Sequence, residues 1–320
     1  MIVQILLLLL GLALVVFGAD WLVDGASSVA RRFGLSEFVI GLTIVGMGTS
    51  APEMVVSFIG AVQGNADISL GNVVGSNIYN TLLILGVTAL LLPMAITPEN
   101  RKKDIPMNIL ITVMLIVLGL EKTLFGFGTD GLSRWDGGIL LALFLIYMFH
   151  SFRNGSSGAE ENEADKAPRQ KLWVSILLIL AGLAGLVAGG NLFVDSATYI
   201  AHAAGVSDKF IAITILAGGT SMPELATCIA AAVKKKGQLA LGNIIGSNIF
   251  NILLILGGSA LIHPLSFTGI SYVDLAALAV SALVLLTSCY VGKKNQLDRL
   301  DGAFFLLLFA AYMAYLIIKL

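Results

Sequence analysis

The feature that leaves this chain the fewest options is a succession of long apolar runs. Roughly ten of them lie near residues 2–23, 36–62, 68–93, 105–120, 135–151, 172–193, 206–233, 238–263, 272–291 and 301–318. Most approach the length of about 20 residues that a helix needs to cross a bilayer. They are too long and too evenly apolar for barrel strands of about 9–11 residues. Inside lipid every backbone N–H and C=O must be bonded within its own segment, so helices remain. Composition agrees: 57% of the 320 residues are hydrophobic, 12% are charged, and mean hydropathy is +0.93. A soluble domain carries about 25% charged residues, and a soluble enzyme this size could not hide so much apolar surface. A formal charge of −1 gives no reason to expect a nucleic-acid partner. Cys228 and Cys289 make neither a disulfide framework nor a zinc site. The first run, MIVQILLLLL, lacks a basic n-region and a cleavage motif, so it reads as a first span rather than a signal peptide.

The basic residues alternate between loops. Arg31, Arg32, Arg101, Lys102, Lys103, Arg153, Lys166, Arg169, Lys171, Lys234, Lys235, Lys236, Lys293, Lys294 and Arg299 fall on one side; Lys122, Arg134, Lys209 and Lys319 fall on the other. The richer side is expected to be cytoplasmic, with both termini extracellular. The polar stretch 153–171 then reads as a cytoplasmic linker, not a domain. Trp21, Trp135 and Trp173, like His150, His202 and His263, lie near span ends, as an interfacial belt requires.

The chain is also a duplication. Residues 18–93 align with 189–264 at a constant offset of 171 without a gap, and 33 of the 76 pairs are identical. RWDG at Arg134 echoes RLDG at Arg299 at a shorter offset. Five spans per copy is an odd number, so the second copy enters the membrane upside down. The expected fold is therefore an all-α membrane protein of ten transmembrane helices in two inverted five-helix repeats, 1–152 and 172–320. Such repeats are a transporter architecture, with a shared site at the midplane.

Polar residues concentrate in the duplicated segments. The second run contains GMGTSAPE, from Gly46 to Glu53, and the seventh contains AGGTSMPE, from Ala217 to Glu224. Pro52 and Pro223 have no N–H to give the carbonyls of Gly48 and Gly219, so each helix should break in mid-membrane, which is tolerated where the backbone lines a cavity. Glu53 and Glu224 each lie well inside an apolar run with no deep Lys or Arg to pair with; an intramembrane carboxylate is costly and marks function. The third and eighth runs carry GNVVGSNIYN and GNIIGSNIFN. Ser76 and Asn80 are four apart and share a helix face, as do Ser247 and Asn251. The glycines Gly71, Gly75, Gly242 and Gly246 suit close helix packing. Asp20, Asp24 and Asp195 read as caps or inter-loop pairs rather than ion ligands.

These candidate ligands are all oxygen, which excludes a zinc- or copper-type site and suits hard cations. Calcium takes about 6–8 oxygens. Two carboxylates neutralise one divalent ion, and sodium could use the same carboxylates with serine hydroxyls. Two ions sharing one ligand set compete, which is the physical basis of exchange.

GTSAPE and GTSMPE, each followed by GN-x-x-GSNI-x-N, resemble the alpha repeats of the cation/calcium exchanger superfamily, and in particular the compact prokaryotic sodium/calcium exchangers. The resemblance covers essentially the whole chain. It implies alternating access, with the first and sixth helices sliding across a core of the other eight. It implies that Glu53 and Glu224 are shared by calcium and sodium, and that the Thr49 and Thr220 main-chain oxygens help hold calcium. Ser50, Ser76, Ser221 and Ser247 would serve sodium, with main-chain oxygens near Gly46 and Ala217, while Asn80 and Asn251 line the central position. Asn251 stands where potassium-dependent relatives have Asp, which argues against potassium co-transport. The resemblance implies an electrogenic secondary antiporter in the plasma membrane, usually three sodium ions per calcium, with no cofactor and no protein partner. A proton/calcium exchanger is the alternative, and after it a potassium-dependent sodium/calcium exchanger. A cation channel and a membrane protease fit less well: two half-sites make no symmetric pore, and the chain lacks GxSG, HExxH and paired intramembrane Asp motifs.

Overall fold

The computed structural model describes residues 2–126, 128–154, 171–205, 217–291 and 295–319. Nearly all of the linker expected at 153–171, residues 206–216 of the seventh run, and Lys209, Lys293 and Lys294 lie outside the described residues. The helices are α1 (Ile2–Phe33), α2 (Glu37–Thr49), α3 (Ala51–Val62), α4 (Ala66–Leu91), α5 (Ile105–Gly119), α6 (Arg134–Arg153), α7 (Leu172–Ala203), α8 (Met222–Val233), α9 (Gly237–Ile262), α10 (Tyr272–Ser288) and α11 (Arg299–Ile318). Among the described residues, six (α1, α4, α6, α7, α9 and α11) are long and apolar enough to span a bilayer, or seven if the bent pair α2–α3 is one span.

Sequence marks several helix starts. Ser36 caps α2 by accepting from the Val39 N–H, and Asn65 caps α4 by accepting from the Ile68 N–H. Ser271 with Asp274, and Asp298 with Asp301, form capping boxes that open α10 and α11, satisfying N–H groups that have no intrahelical partner.

Burial separates a core from a rim. The apolar stretches of α4 and α9, which carry the GSN motifs, are 78% and 94% buried; those of α1, α6, α7 and α11 are 11–28% buried. Rim helices this apolar can expose such faces only to lipid. Helices α1 and α7 each run 32 residues, about 48 Å at the helical rise, well beyond the runs expected at 2–23 and 172–193. Helix α1 continues because its later turns, Gly25–Ala30, are mostly small residues buried against protein; of the later turns of α7 Ser196 is buried. The two cross antiparallel at small residues seven apart. A β-carbon on Gly11, Gly18 or Gly25 would come within 2.7–2.8 Å of the α7 backbone, so only glycine permits this approach. Lys234, at the end of α8, ties α1 to the core through Asp20 (2.6 Å) and Asp24 (2.7 Å).

The two halves of the chain interlock. Helix α6 lies on α9, where a β-carbon on Gly137 would meet the Gly257 carbonyl at 2.7 Å; α11 lies on α4, where one on Gly302 would meet the Gly86 carbonyl at 2.7 Å. Two short antiparallel ladders, absent from the all-helical expectation, repeat the exchange: Met94–Ala95 pairs with Gln296–Leu297, and Gly131–Leu132 with Leu265–Ser266. The duplication relates one ladder to the other.

Among the described residues four stretches are wound as π-helix, at Gly41–Val45, Tyr79–Ile84, Asn100–Asp104 and Asn251–Leu256. Two of them occupy equivalent places in the halves and begin at or beside Asn80 and Asn251. Such wide turns concentrate at functional sites.

Candidate functional site

Both proline motifs break the helix in the same way. Helices α2 and α3 meet at a 48° bend, with Ser50 at the joint (φ −80°, ψ 7°); Ser221 takes nearly the same conformation before α8 (φ −86°, ψ 6°). Each proline then sits in the first turn of a new helix, where its missing N–H costs nothing. Glu53 and Glu224 fall in the first turns of α3 and α8, where the helix dipole favours a negative charge. Each is only 1% exposed.

The two carboxylates are held by crossed hydroxyls. Ser50 donates to Glu224 Oε1 at 2.9 Å and Ser221 to Glu53 Oε1 at 3.2 Å. From the buried helices, Ser76 reaches Glu53 Oε1 and Ser247 reaches Glu224 Oε1, both at 3.5 Å. Each carboxylate thus takes one hydroxyl from its own half and one from the other. The Ser247 hydroxyl also lies 3.4 Å from the Gly46 carbonyl. Thr49 is buried and donates to the Val45 carbonyl at 3.1 Å and to Asn243 Oδ1 at 3.2 Å. Thr220 is half-buried at the turn before Ser221, and the Ala217 backbone lies in the short turn Ala217–Gly219.

Four of the buried side-chain atoms without a hydrogen-bond partner belong to the candidate ligands. Glu53 Oε2, Glu224 Oε2, Asn80 Oδ1 and Asn251 Oδ1 are buried and have no hydrogen-bond donor. These are two pairs of equivalent positions, and all four atoms can only accept. A buried acceptor without a partner costs about 1–3 kcal/mol, more when charged, and a hard cation satisfies such a set. Among the described residues, no group of three or more His, Cys, Asp or Glu gathers to hold a resident metal. Two carboxylates with neutral oxygens suit an ion that binds and leaves.

Of the twelve residues singled out from sequence, these contacts link Glu53, Glu224, Ser50, Ser221, Ser76, Ser247 and Gly46; Asn80 and Asn251 bond instead to Asn248 and Asn77, and Thr49 to Val45 and Asn243. Four asparagines of the same motifs received no role. Asn72 donates to the Glu53 carbonyl (3.0 Å) and to Ser57 Oγ (2.9 Å). Asn243 receives Thr49 and donates to Cys228 Sγ (3.4 Å). Asn77 and Asn248 join α4 to α9. Their exact duplication was the available signal. The motif glycines are unequal: Gly242 and Gly246 lie against the carbonyls of Phe38 and Leu42, whereas Gly71 and Gly75 have no described neighbour within 4 Å.

A cavity of about 500 Å³ reaches the site from one side, lined by Tyr79, Phe193, Val194, Gly218, Ser221 and Phe309 among others. Tyr79 and Phe309 meet edge to face there, with centroids 4.8 Å apart. The equivalent pair, Phe250 and Phe144, also meets edge to face at 5.1 Å, but both of its rings are buried.

Known proteins resemble this chain in sequence and fold. The chain matches the family described as sodium/calcium exchanger protein over residues 3–153 and 174–318. It is 38% identical to the uncharacterized membrane protein MJ0091 of Methanocaldococcus jannaschii over 309 residues, covering 96% of each chain. It is 33% identical to the sodium/calcium exchanger MaX1 of Methanosarcina acetivorans over 348 residues, covering 98% of each. A solved structure of the sodium-calcium exchanger NCX_Mj, soaked with sodium and strontium, superimposes with a TM-score of 0.84 at 36% identity over 98% of both chains. With its helical fold, its buried carboxylates and these whole-length matches, the chain belongs to the sodium/calcium exchanger family of multi-pass membrane transporters.

Proposed function

We propose that this chain exchanges sodium for calcium by alternating access at a single shared site. The observation that carries the reading is that four oxygens without hydrogen-bond partners, on Glu53, Glu224, Asn80 and Asn251, are buried, with four serine hydroxyls bonded to the two carboxylates. Calcium would take both carboxylates with the Thr49 and Thr220 main-chain oxygens. Sodium would take the carboxylates with Ser50, Ser76, Ser221 and Ser247 and the main chain near Gly46 and Ala217. Asn80 and Asn251 would line the centre. Neutral amides there favour sodium over protons as the coupling ion and argue against potassium. The relatives named as sodium/calcium exchangers support the same choice. Three sodium ions per calcium would make each cycle electrogenic.

In this reading the chain crosses the plasma membrane ten times, as inverted repeats 1–152 and 172–320 broken at the midplane. Termini are extracellular and the linker 153–171 is cytoplasmic. That orientation places the cavity beside Ser221 on the extracellular side and the sealed Phe144–Phe250 pair on the cytoplasmic side, as one access state requires. The chain acts as a carrier, not an enzyme, with no cofactor and no protein partner.

Calcium uptake into proteoliposomes, driven by a sodium gradient or by a pH gradient alone, tests the coupling ion. Uptake that needs sodium is expected. Uptake driven by the pH gradient without sodium establishes the proton/calcium alternative, and single-channel currents would exclude a carrier.

A further inference from the structure

Four buried asparagines cross-link α4 and α9, and their hydrogen bonds have a direction. The Asn248 main-chain carbonyl accepts from Asn77 Nδ2 at 3.1 Å. A carbonyl can only accept, so the Asn77 amide must turn its N–H₂ to it and its oxygen away. That oxygen accepts from Asn251 Nδ2 at 2.9 Å, which leaves Asn251 Oδ1 as the atom without a partner. The second arm runs through Asn248. Its Oδ1 accepts from Asn80 Nδ2 at 3.2 Å while its Nδ2 donates to Thr81 Oγ1 at 2.9 Å; Asn80 Oδ1 is then unpartnered. Asparagines serving only to glue two helices together would use both ends of each amide. Here both chains of amides end on an oxygen with nothing to accept from, one turn along α4 or α9 from a serine that reaches a carboxylate.

We propose that Asn77 and Asn248 are positioning residues for ion exchange. Each holds a neighbouring asparagine so that its amide oxygen, and not its N–H₂, is the group left for a cation. The proposal rests on the reading of Asn80 and Asn251 as site-lining residues. The two arms differ. The Asn77–Asn251 arm is anchored on a backbone carbonyl and cannot reverse. The Asn248–Asn80 arm is anchored on the Thr81 hydroxyl, which can donate as well as accept; the position equivalent to Thr81 is Ile252.

The test is a double-mutant cycle on calcium uptake by the full-length protein in proteoliposomes with an imposed sodium gradient, alongside Glu53→Gln. Asn77→Ala is expected to raise the calcium concentration for half-maximal uptake about tenfold, the effect of one ordinary hydrogen bond. In an Asn251→Ala background the same change should have no further effect, because Asn77 acts only through Asn251; general structural damage would instead add. If Asn77→Ala does not fold, Thr81→Val, nearly the same shape, asks the same question of the other arm and should lose its effect in an Asn80→Ala background. Unchanged half-saturation or additive losses overturn the proposal. Loss of uptake in Glu53→Gln with no effect at Asn77 and Thr81 removes the positioning role alone. Normal uptake in Glu53→Gln removes the site reading and this proposal with it.

Discussion

Ser50 donates its hydroxyl to Glu224 at 2.9 Å, 174 residues away in sequence. The joint of one broken helix is thereby fixed to the carboxylate of the other. The reciprocal bond from Ser221 to Glu53 makes the two joints mutually dependent. An ion that draws either carboxylate toward itself therefore acts on both halves together.

Glu53→Gln and Glu224→Gln should each lower sodium-driven calcium uptake by about 100-fold or more, the scale of breaking a buried charge pairing. A neutral amide keeps the volume, so both variants should purify as folded protein. Radioactive calcium flux with a thermal melt of the same samples checks this; normal flux in either variant would refute the shared site.

Ser50→Ala and Ser221→Ala should weaken sodium more than calcium. Each removes a hydroxyl bonded to a buried carboxylate, worth about 1.5–3 kcal/mol, and one of the few neutral oxygens open to a monovalent ion. Sodium competition curves against calcium uptake measure the shift, and an equal effect on both ions would sink the assignment.

Asn251→Asp should change ion selectivity or bring pH dependence to the flux, because a third carboxylate would join Glu53 and Glu224 in a buried site. Flux across a series of pH values, with sodium or potassium as counter-ion, is the measurement; an unchanged profile weakens the role given to Asn251.

Asp104 ends the turn that leads into α5, outside the apolar run. Burial pushes its carboxyl up to about 6, with the Asn100 amide opposing. The raised folded-state value means that stability is lost as pH rises from the ordinary aspartate range through about 6. Asp104→Asn should raise the melting temperature at pH 7.5 and change little near pH 4. Melts in detergent at the two pH values decide it.

Much of this site is legible in the letters because duplication supplies an internal control. Glu53 and Glu224 stand out as carboxylates in apolar runs, and Ser76 with Asn80 stand out by helical spacing. What stays hidden is direction and contact. Spacing puts Asn77 beside Asn80 in the chain but cannot say that Asn77 serves Asn251, because that bond crosses between α4 and α9. Nor does hydropathy fix the ends of α1 and α7: it follows the lipid-facing stretch, whereas α1 runs on through Ala26–Ala30, which are buried against protein. The π turns at Asn80 and Asn251 leave no mark in hydropathy either.

The exchanged ladders also bear on how the chain is made. Met94–Ala95 is synthesised about 200 residues before its partner strand, Gln296–Leu297, and α4 waits as long for α11. A ribosome delivering this protein to the membrane therefore releases its first half with a strand edge unpaired and a glycine groove at Gly86 uncovered. Final assembly must follow the emergence of the last helix. Such long-range pairing slows folding and leaves the incomplete chain open to wrong partners, so a nascent chain truncated before α11 should be a substrate for quality control rather than half an exchanger.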